Sequence, residues 1–534
     1  MPCIPRDRHT NRGEKGVKVS ICELINMNEI NKIKTLEELA DTVLSLRSKN
    51  MKIVHCHGCF DLLHIGHIRY LRQSKQMGDK LIVTITPDKY VDKGPHRPAF
   101  PEAFRAEAVA SLDDVDYVAI NKWPTAEETL RLLRPHVYVK GSDFKDVESD
   151  TTGKLAREAR TVREIGAELA FTKDIIFSST NLINRFFLSF PDDVKQYLNI
   201  FRTRYKPEDI LELLNRMSML NVLVIGDTII DDYHYCHTIG LSSKDPVLAV
   251  QYNSHDLFPG GVLAIANHVA NFARKVRLVT VMGEKESHEN FIRSNLRANI
   301  SPYFLIQDNA PTLIKRRFVE GYSLNKLFEV YIMDDSGLSD EKDDQLCNWL
   351  KTNLPKYHLA IVPDFGHGAI SQKVRQTLIE HAPFLAVNTQ ANSGNRGFHT
   401  ITRYSRADYV SIAEHEIRLE MRDMKSKIRP MMEKTSVQMN CRNFVVTRGK
   451  KGCLVRNRDG GFVEVPAFAQ KVVDRIGAGD AFLSVSALAA YLNACPELIG
   501  FIGNIVGALA VEILGNQKSI DKISVENYIT SLIK

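Results

Sequence analysis

The sequence predicts two α/β domains in series, and three observations carry that prediction. Strand-like apolar runs alternate with helix-spaced stretches in two separate blocks, the pattern of sheets with crossover helices. Neither block repeats the other, so two different domains are expected instead of a duplication. At 534 residues the chain also exceeds what one hydrophobic core ordinarily serves.

The elements follow in order. Residues 1–30 are polar and basic through Lys18 and lack the apolar core of a secretory signal, so a flexible extension is expected there. The first domain is expected over 31–188. Apolar spacing predicts a helix over Leu36–Leu46, the polar Arg47-Ser48-Lys49-Asn50 breaks it, and Ile53-Val54 begin a strand. Further strands are expected at Lys80–Thr86, Tyr117–Ile120 and His136–Val139. From Arg185 to Asp209 aromatic and charged residues mix with Pro191 and Pro207, and 189–216 reads as a connector packed on a neighbour. The second domain, 217–534, begins at Asn221–Asp227, read as a buried strand ending in a Gly turn. Strands are then expected at Arg277–Met282, His358–Asp364, Phe384–Asn388, Asp408–Ile412 and Phe444–Thr447, with apolar helices at Ala481–Leu492 and Ile499–Ile513.

Composition narrows the function classes. Apolar residues at 44% and charged residues at 25% are those of soluble globular protein. A net charge of +6 suits anionic small substrates, and no Lys/Arg stripe with interleaved aromatics points to nucleic acid. No apolar run reaches the length of a membrane span. Nine cysteines without framework spacing fit reduced thiols, and a cytoplasmic protein is expected. Cys56-His57-Gly58-Cys59 contains a C-x-x-C, but no second pair of suitable spacing completes a zinc site.

The first chemical signal is His57-Gly58-Cys59-Phe60-Asp61-Leu62-Leu63-His64-Ile65-Gly66-His67. A strand running through a Gly-containing turn into a helix sets backbone N–H groups and the positive helix end beside the loop, which suits a triphosphate. His64 and His67, three apart, share a helix face and can grip the same phosphates. Attack on an α-phosphorus by a phosphate anion needs no strong base, and the site must instead neutralise charge on the phosphoryl group and departing pyrophosphate. With Gly58, Phe60 and Asp61 ahead of the two histidines, residues from about 50 to 185 resemble the cytidylyltransferase-like family, especially its heptose-1-phosphate adenylyltransferase branch. Supporting stretches are Gly78–Val83, Arg97-Pro98 with Arg105, Leu112–Asp116, Val139–Phe144 and Ser178–Ile183. The resemblance implies a Rossmann-like nucleotidyltransferase domain in which His64 and His67 hold the triphosphate. It also implies that Ser179 and Thr180 cap a phosphate-facing helix and that Lys140 lies at the nucleotide or sugar-phosphate end. Read alone, Lys140 is alternatively an ordinary strand-end lysine and the Ser-Ser-Thr-Asn run a plain N-cap. Thr172–Phe177 stands where cytidylyltransferases carry Arg-Thr-Glu-Gly, which favours ATP, with CTP or GTP as alternatives.

The second signal is Asp474-Arg475-Ile476-Gly477-Ala478-Gly479-Asp480-Ala481-Phe482. Glycines let the backbone approach a γ-phosphate, N–H groups opening the helix form an anion hole, and Asp480 is placed to take a proton from an attacking hydroxyl. The stretch from about 218 to 530 resembles the ribokinase-like sugar kinases, closest to heptose-7-phosphate kinase. It does so through Val224–Asp231, Pro259-Gly260-Gly261, Lys315 with Arg317, Pro363–Gly368, Val446–Gly449 with Gly452, and Ile513-Leu514-Gly515. The resemblance implies a ribokinase-like α/β domain with Asp231, Gly260 and Gly261 at the sugar hydroxyls and Lys315 and Arg317 near the sugar's phosphate. It further implies Asp480 as base, Gly477, Ala478 and Gly479 at phosphate, Arg448 and Gly449 beside the nucleotide, and Glu414 indirectly at magnesium. Asp231-Asp232 reads alternatively as a solvated strand end and Lys315-Arg316-Arg317 as an exposed basic face. Departures cluster at sugar and metal: Ala264 where the family has Asn, with Asn267 and His268 one turn later; Ser411 where Asn-x-x-Glu begins; Asn388–Gly397 for Asp-Pro-Lys-Gly; and Gly240–Pro246 for Arg-Ile-Ser-Pro-Glu-Ala-Pro. The familiar fusion also places the kinase first.

The combined expectation is a bifunctional enzyme of nucleotide-sugar synthesis. Its kinase half phosphorylates a sugar phosphate, such as a heptose 7-phosphate, at the anomeric hydroxyl with Mg2+ and ATP. A phosphatase acting elsewhere removes the distal phosphate, and the transferase half, also with Mg2+, then converts the sugar 1-phosphate to an NDP-sugar such as ADP-heptose, releasing pyrophosphate. Partners are therefore sugar phosphates and nucleoside triphosphates, not nucleic acid or membrane, in a homo-oligomer. The alternatives are a cytidylyltransferase for a polyol or other sugar phosphate, fused to another sugar kinase or to a catalytically silent regulatory module.

Overall fold

The computed structural model describes residues 32–91, 98–141, 154–172 and 190–533, apart from 335 and 458. The chain divides into two compact units, Met1–Phe187 and Leu188–Lys534.

The first unit begins with α1 (Leu36–Ser48), whose Thr35 N-cap and Glu38 form a reciprocal capping box worth about 1 kcal/mol. β1 (Ile53–Gly58), α2 (Ile65–Lys75), β2 (Lys80–Ile85), α3 (Glu102–Ala110), β3 (Tyr117–Ile120), α4 (Glu127–Leu133), β4 (Val137–Lys140), α5 (Lys154–Glu164) and β5 (Glu168–Phe171) follow. The five strands form one parallel sheet in the order β3-β2-β1-β4-β5. The order reverses between β1 and β4, and a crevice beyond the carboxyl ends at such a switch point is where ligands bind in open α/β sheets. Val54, Cys56, Leu81, Val83, Val118, Val137 and Val139 are fully buried in its core, so the strands read as apolar runs instead of alternating ones.

The second unit starts with α6 (Asp192–Arg204) and α7 (Pro207–Met217). These are the residues expected to be a connector; they are instead two helices built into this unit's core. Phe201 stacks on Phe501 at 4.1 Å between ring centroids, and the Arg202 guanidinium donates to Leu532 O at 2.8 and 3.0 Å. Phe201 is fully buried and Tyr197 and Tyr205 pack partly buried against the same core, on the apolar face of an amphipathic helix pair.

β6 (Asn221–Leu241) is the organising strand. The sequence suggests that it ends at a Gly226 turn, but it continues to Leu241 and is 21 residues long in all. Gly226 answers to crowding instead: a Cβ there would lie 2.5 Å from Pro363 O. The first part of β6 pairs parallel with β8 (Lys275–Lys285) and β12 (Leu359–Asp364). Its second part pairs antiparallel with β7 (Leu248–Gly260) and parallel with β10 (Ile314–Glu320). One strand thus serves a main sheet and a side sheet, with Asp227 and Asp231 where it passes between them. β9 (Ile300–Pro311) extends the main sheet beyond β8, and β11 (Lys326–Ile332) extends the side sheet beyond β10. On the other flank lie β13 (Leu385–Thr389), β14 (Tyr409–Ala413), β15 (Asn443–Thr447), β16 (Cys453–Arg456) and β17 (Phe462–Val465), the last two antiparallel. The helices are α8 (Gly261–Ala270), α9 (Glu289–Ser294), α10 (Asp340–Asn353), α11 (Gln372–His381), α12 (Glu414–Met421), α13 (Ile428–Gln438), α14 (Ala478–Tyr491), α15 (Pro496–Ala510) and α16 (Lys522–Ile533). Among them α8, α14 and α15 are apolar nearly all round and buried in the larger core.

Candidate active sites

In the first unit β1 delivers His57 and Gly58 to the carboxyl edge of the sheet. The chain then turns through Phe60, held at φ +47° and buried, into α2. His64 is the N-cap of α2, and its Nδ1 accepts the Gly66 N–H at 3.1 Å. That bond leaves the neutral ring's proton on Nε2, the form burial favours by lowering the His64 pKa. The His64 and His67 rings lie 4.0 Å apart, and Phe60 meets His67 edge-on at 5.3 Å. The two histidines are therefore side by side at a helix N-terminus, as the spacing predicts.

Arg105 braces this loop from beneath. Its buried guanidinium donates to Cys59 O, to Thr86 O at 2.8 Å and to Phe100 O at 2.9 Å, and it pairs with Asp88 at 2.5 Å. Asp61 is buried and accepts the Ala99 N–H, so it fixes the turn. Behind them, the Thr84 hydroxyl sits between His55 Nε2 (2.8 Å) and His57 Nδ1 (2.9 Å). Burial pushes His55 down to about 3, with His57 and Lys140 adding to the effect, so the pair avoids charge repulsion. Lys140 ends β4, the strand across the switch point, and its ammonium pairs with buried Glu158 at 2.8 Å. Glu158 also accepts from Tyr138 OH and Ala126 N. Nothing local in the sequence marks Glu158, because it reaches Lys140 from α5. Ser179 and Thr180, and the Lys173–Phe177 stretch read for the base, lie outside the described residues.

In the second unit a cavity of about 300 Å³ opens at the junction of the two sheets. Asp480 lines it from the first turn of α14. Gly477 is the N-cap at φ +79°, and no side chain caps this helix end. The first-turn N–H groups thus have no intrahelical partners, and Gly477 and Gly479 line the cavity. Burial first, then Asp231 and Glu416 against Lys315, pushes the Asp480 carboxyl up to about 7. Gln390 Nε2 donates to Asp480 Oδ1 at 3.0 Å.

Asp231, Lys315, Arg317 and Gly261 line the same cavity. Lys315 stands opposite Asp231 in register across β10 and β6. Both are buried, as is Arg317, whose guanidinium pairs with Asp231 and with Glu329 at 3.0 Å. Readings of Asp231-Asp232 as a solvated strand end and of Lys315-Arg316-Arg317 as an exposed basic face are therefore overturned. Asp232 is itself buried against Arg316 (2.7 Å) and His234 (2.9 Å). Gly260 is required by contact: a Cβ there would lie 2.4 Å from Asp231 Oδ2.

Other expected residues fall outside. Arg448 pairs with Glu464, and neither it nor Gly449 lines the cavity, whereas Thr447 does. Ala478 starts α14 but is not part of the lining. Glu414 is tied to Arg418 at 2.8 Å, and the carboxylate that lines the cavity is Glu416. Glu416 accepts from Ala391 N and Ala413 N, and burial pushes it up to about 7. Among the described residues no group of three or more His, Cys, Asp or Glu side chains is arranged to hold a metal ion. Sequence reading missed Gln390, Glu416, Arg475 and Asn516, all in the lining. The first lies in a stretch that had drifted from the family pattern, and the others lie within two residues of positions that attracted notice.

Comparison with known proteins follows this division. Residues 219–523 match the pfkB family carbohydrate kinase model, and residues 55–185 the cytidylyltransferase-like one. The bifunctional protein HldE of Aliarcobacter butzleri is 37% identical over 161 residues, 30% of this chain and 32% of that protein. HldE of Methylococcus capsulatus is 43% identical over 115 residues, 21% of this chain and 24% of that protein. The chain thus spans about a third or less of the curated relatives it matches. Among solved structures, ribokinase from Thermotoga maritima is 18% identical, covering 58% of this chain and 100% of that one at TM-score 0.47. Phosphofructokinase-2 from Escherichia coli in complex with fructose-6-phosphate is 13% identical, covering 59% and 100% at TM-score 0.48. With residues 219–523 making up more than half of 534, the chain belongs to the pfkB family of carbohydrate kinases, and a cytidylyltransferase-like domain precedes the kinase domain.

Proposed function

We propose that the protein is a bifunctional enzyme that phosphorylates a sugar phosphate at its anomeric hydroxyl, giving a bisphosphate, and, after a separate phosphatase has hydrolysed the distal phosphate, transfers a nucleotidyl group to the sugar 1-phosphate. The single observation that carries the kinase half is buried Asp480, at an uncapped helix N-terminus, facing the cavity that Asp231 and Lys315 share. Asp480 takes the hydroxyl proton as the oxygen attacks the γ-phosphorus. Gly477 and the first-turn N–H groups of α14 receive the charge that builds on the phosphoryl oxygens. Asp231, fixed by Arg317 and by Asn516 Nδ2 at 3.1 Å, accepts hydrogen bonds from sugar hydroxyls. Glu416 is an acidic group in the same lining and fits a divalent ion carried in with ATP, which would neutralise phosphate charge.

In the first unit His64 and His67 hold the triphosphate and stabilise departing pyrophosphate, and Lys140 faces the sugar phosphate. A heptose 7-phosphate as kinase substrate and ADP-heptose as final product are the specific forms of this reading, supported by the HldE relatives. A cytoplasmic homo-oligomer accords with it.

The test is turnover by the purified full chain. Heptose 7-phosphate with Mg-ATP should yield ADP, and heptose 1-phosphate with ATP should release pyrophosphate. Asp480→Asn should slow only the first reaction, by roughly 10²–10⁴-fold. His64→Ala should slow only the second, by roughly 10²–10³-fold. Pyrophosphate release with CTP alone would replace the adenylyl reading, and ADP formation unchanged in Asp480→Asn would overturn the kinase.

A further inference from the structure

A second cavity, about 330 Å³, lies beside the kinase cavity, and Asn516 belongs to the lining of both. Its chemistry differs from that of its neighbour. The kinase cavity mixes Asp231, Glu416 and Asp480 with its cations, whereas the second cavity has Arg297 and Lys518 and no acidic residue in its lining. Arg297 and Lys518 are exposed at its rim, and neither takes part in an ion pair among the described residues. Two uncompensated cations on a concave surface attract an anion, and the concavity raises the field above that of either charge alone.

Apart from Pro259, Ala264 and Leu296 the rest of the lining is polar, and Asn267, His268 and Asn516 are held by hydrogen bonds. Ala264, Asn267 and His268 sit at i, i+3 and i+4 on α8 and so share one face of that helix. Asn267 is buried, with Oδ1 accepting Arg297 N at 3.1 Å and Nδ2 donating to Asn295 O at 2.9 Å, which pins the loop that presents Arg297. His268 is buried and pushed down to about 4 by burial, hence neutral. Its Nδ1 accepts Ile520 N at 3.0 Å, so the remaining nitrogen, Nε2, carries the proton and is a donor. Asn516 closes the wall towards the kinase cavity, with its Nδ2 on Asp231 Oδ2 at 3.1 Å.

We infer that this cavity is a binding site for the phosphate group of a small organic phosphate, held by Arg297 and Lys518 with His268 as a neutral hydrogen-bond donor, and separated from the kinase cavity by Asn516. The small side chain of Ala264 leaves room along the α8 face, so the site continues towards the sugar-binding end. Because Asn516 touches Asp231, occupancy on one side of Asn516 is felt by a sugar-facing carboxylate on the other. The inference stands on charge and geometry and needs no turnover, so it can fail while the kinase reading holds, and the reverse.

The test is calorimetric titration of the full chain with inorganic phosphate and with ribose 5-phosphate. Wild type should bind both probes. The variant Arg297→Ala/Lys518→Ala alters only exposed side chains, and circular dichroism should match wild type. It should weaken both probes by about tenfold or more, the loss expected on removing charge-assisted hydrogen bonds. Arg475→Ala, which alters only the neighbouring lining, should bind inorganic phosphate as wild type does, in contrast to the double variant. Asp231→Asn separates the sources. If it weakens ribose 5-phosphate but not inorganic phosphate, one sugar phosphate spans both cavities, its distal phosphate at Arg297 and Lys518. If it weakens neither, the cavity takes a separate phosphorylated ligand. Wild type that binds neither probe, or a double variant that binds both as wild type does, would overturn the inference.

Discussion

A carboxylate that titrates near neutrality acts as a base only when pH holds it ionised, and Asp480, at about 7, lies in that range. Kinase rate should therefore rise as pH climbs through about 7 and fall away below it. The neighbours set the midpoint in opposite directions. Gln390 donates to Asp480 Oδ1 and so favours the charged form, and Glu416 disfavours it. Gln390→Leu should move the rising limb up by about 1 pH unit, the equivalent of one hydrogen bond to a charged group. Glu416→Gln should move it down by less. The measurement is kcat against pH with saturating nucleotide; limbs that stay put in both variants would remove Gln390 and Glu416 from control of the base. Asp480 itself is legible from Gly-Ala-Gly-Asp, because glycines before an acid at a helix start have few other uses. Gln390 is not, since a single amide at the end of β13 meets Asp480 only once β13 and α14 are brought together.

At the scale of elements, most parallel strands of the two main sheets were readable, β5 and β9 excepted, and the side sheet was not. β1, β3, β12 and β15 are buried on both faces and announce themselves as short apolar runs. β7 and β11 are largely exposed, carry Gln251, Asn253, Asp256 and Glu329, and have no run or clean alternation to detect. The continuation of β6 past Gly226 was hidden for the opposite reason, because a glycine demanded by Pro363 O looks like a turn. The loop into α14 is where an element's geometry and the chemistry coincide. Gly477 at φ +79° has its missing Cβ position 2.5 Å from Asn516 Oδ1. Gly477→Ala meets both the left-handed penalty, about 1–2 kcal/mol, and that clash. The expected outcome is kinase activity lowered by at least ~10-fold with nucleotidyl transfer unchanged. Normal ADP formation by this variant would show that the N-cap conformation is dispensable.

For the whole molecule, the boundary between the units is the point on which sequence and structure part most clearly. The proline-flanked aromatic stretch from 189 to 216 resembled a connector because its apolar positions, read without knowing what they face, could belong to either side. In the structure Val194, Leu198, Phe201, Ile210, Leu214 and Met217 are all buried in the core of the second unit, beside Phe468, Phe501 and Ile529. At roughly 1.5–3 kcal/mol for each large apolar side chain buried, losing them would remove about 9–18 kcal/mol. That is as large as the ~5–15 kcal/mol by which a folded domain ordinarily exceeds its unfolded state. A chain of residues 188–534 is therefore expected to melt in one cooperative transition and to keep the kinase activity of the full protein. A chain starting at 218, where the family match nearly begins, should be insoluble or melt at least ~15 °C lower, since about 1 kcal/mol moves the midpoint of a large domain by roughly 2–4 °C. Thermal melts and ADP formation by the two truncations decide the matter: equal stability would make α6 and α7 an appendage, whereas loss in the shorter chain alone makes them the first two elements of the kinase fold.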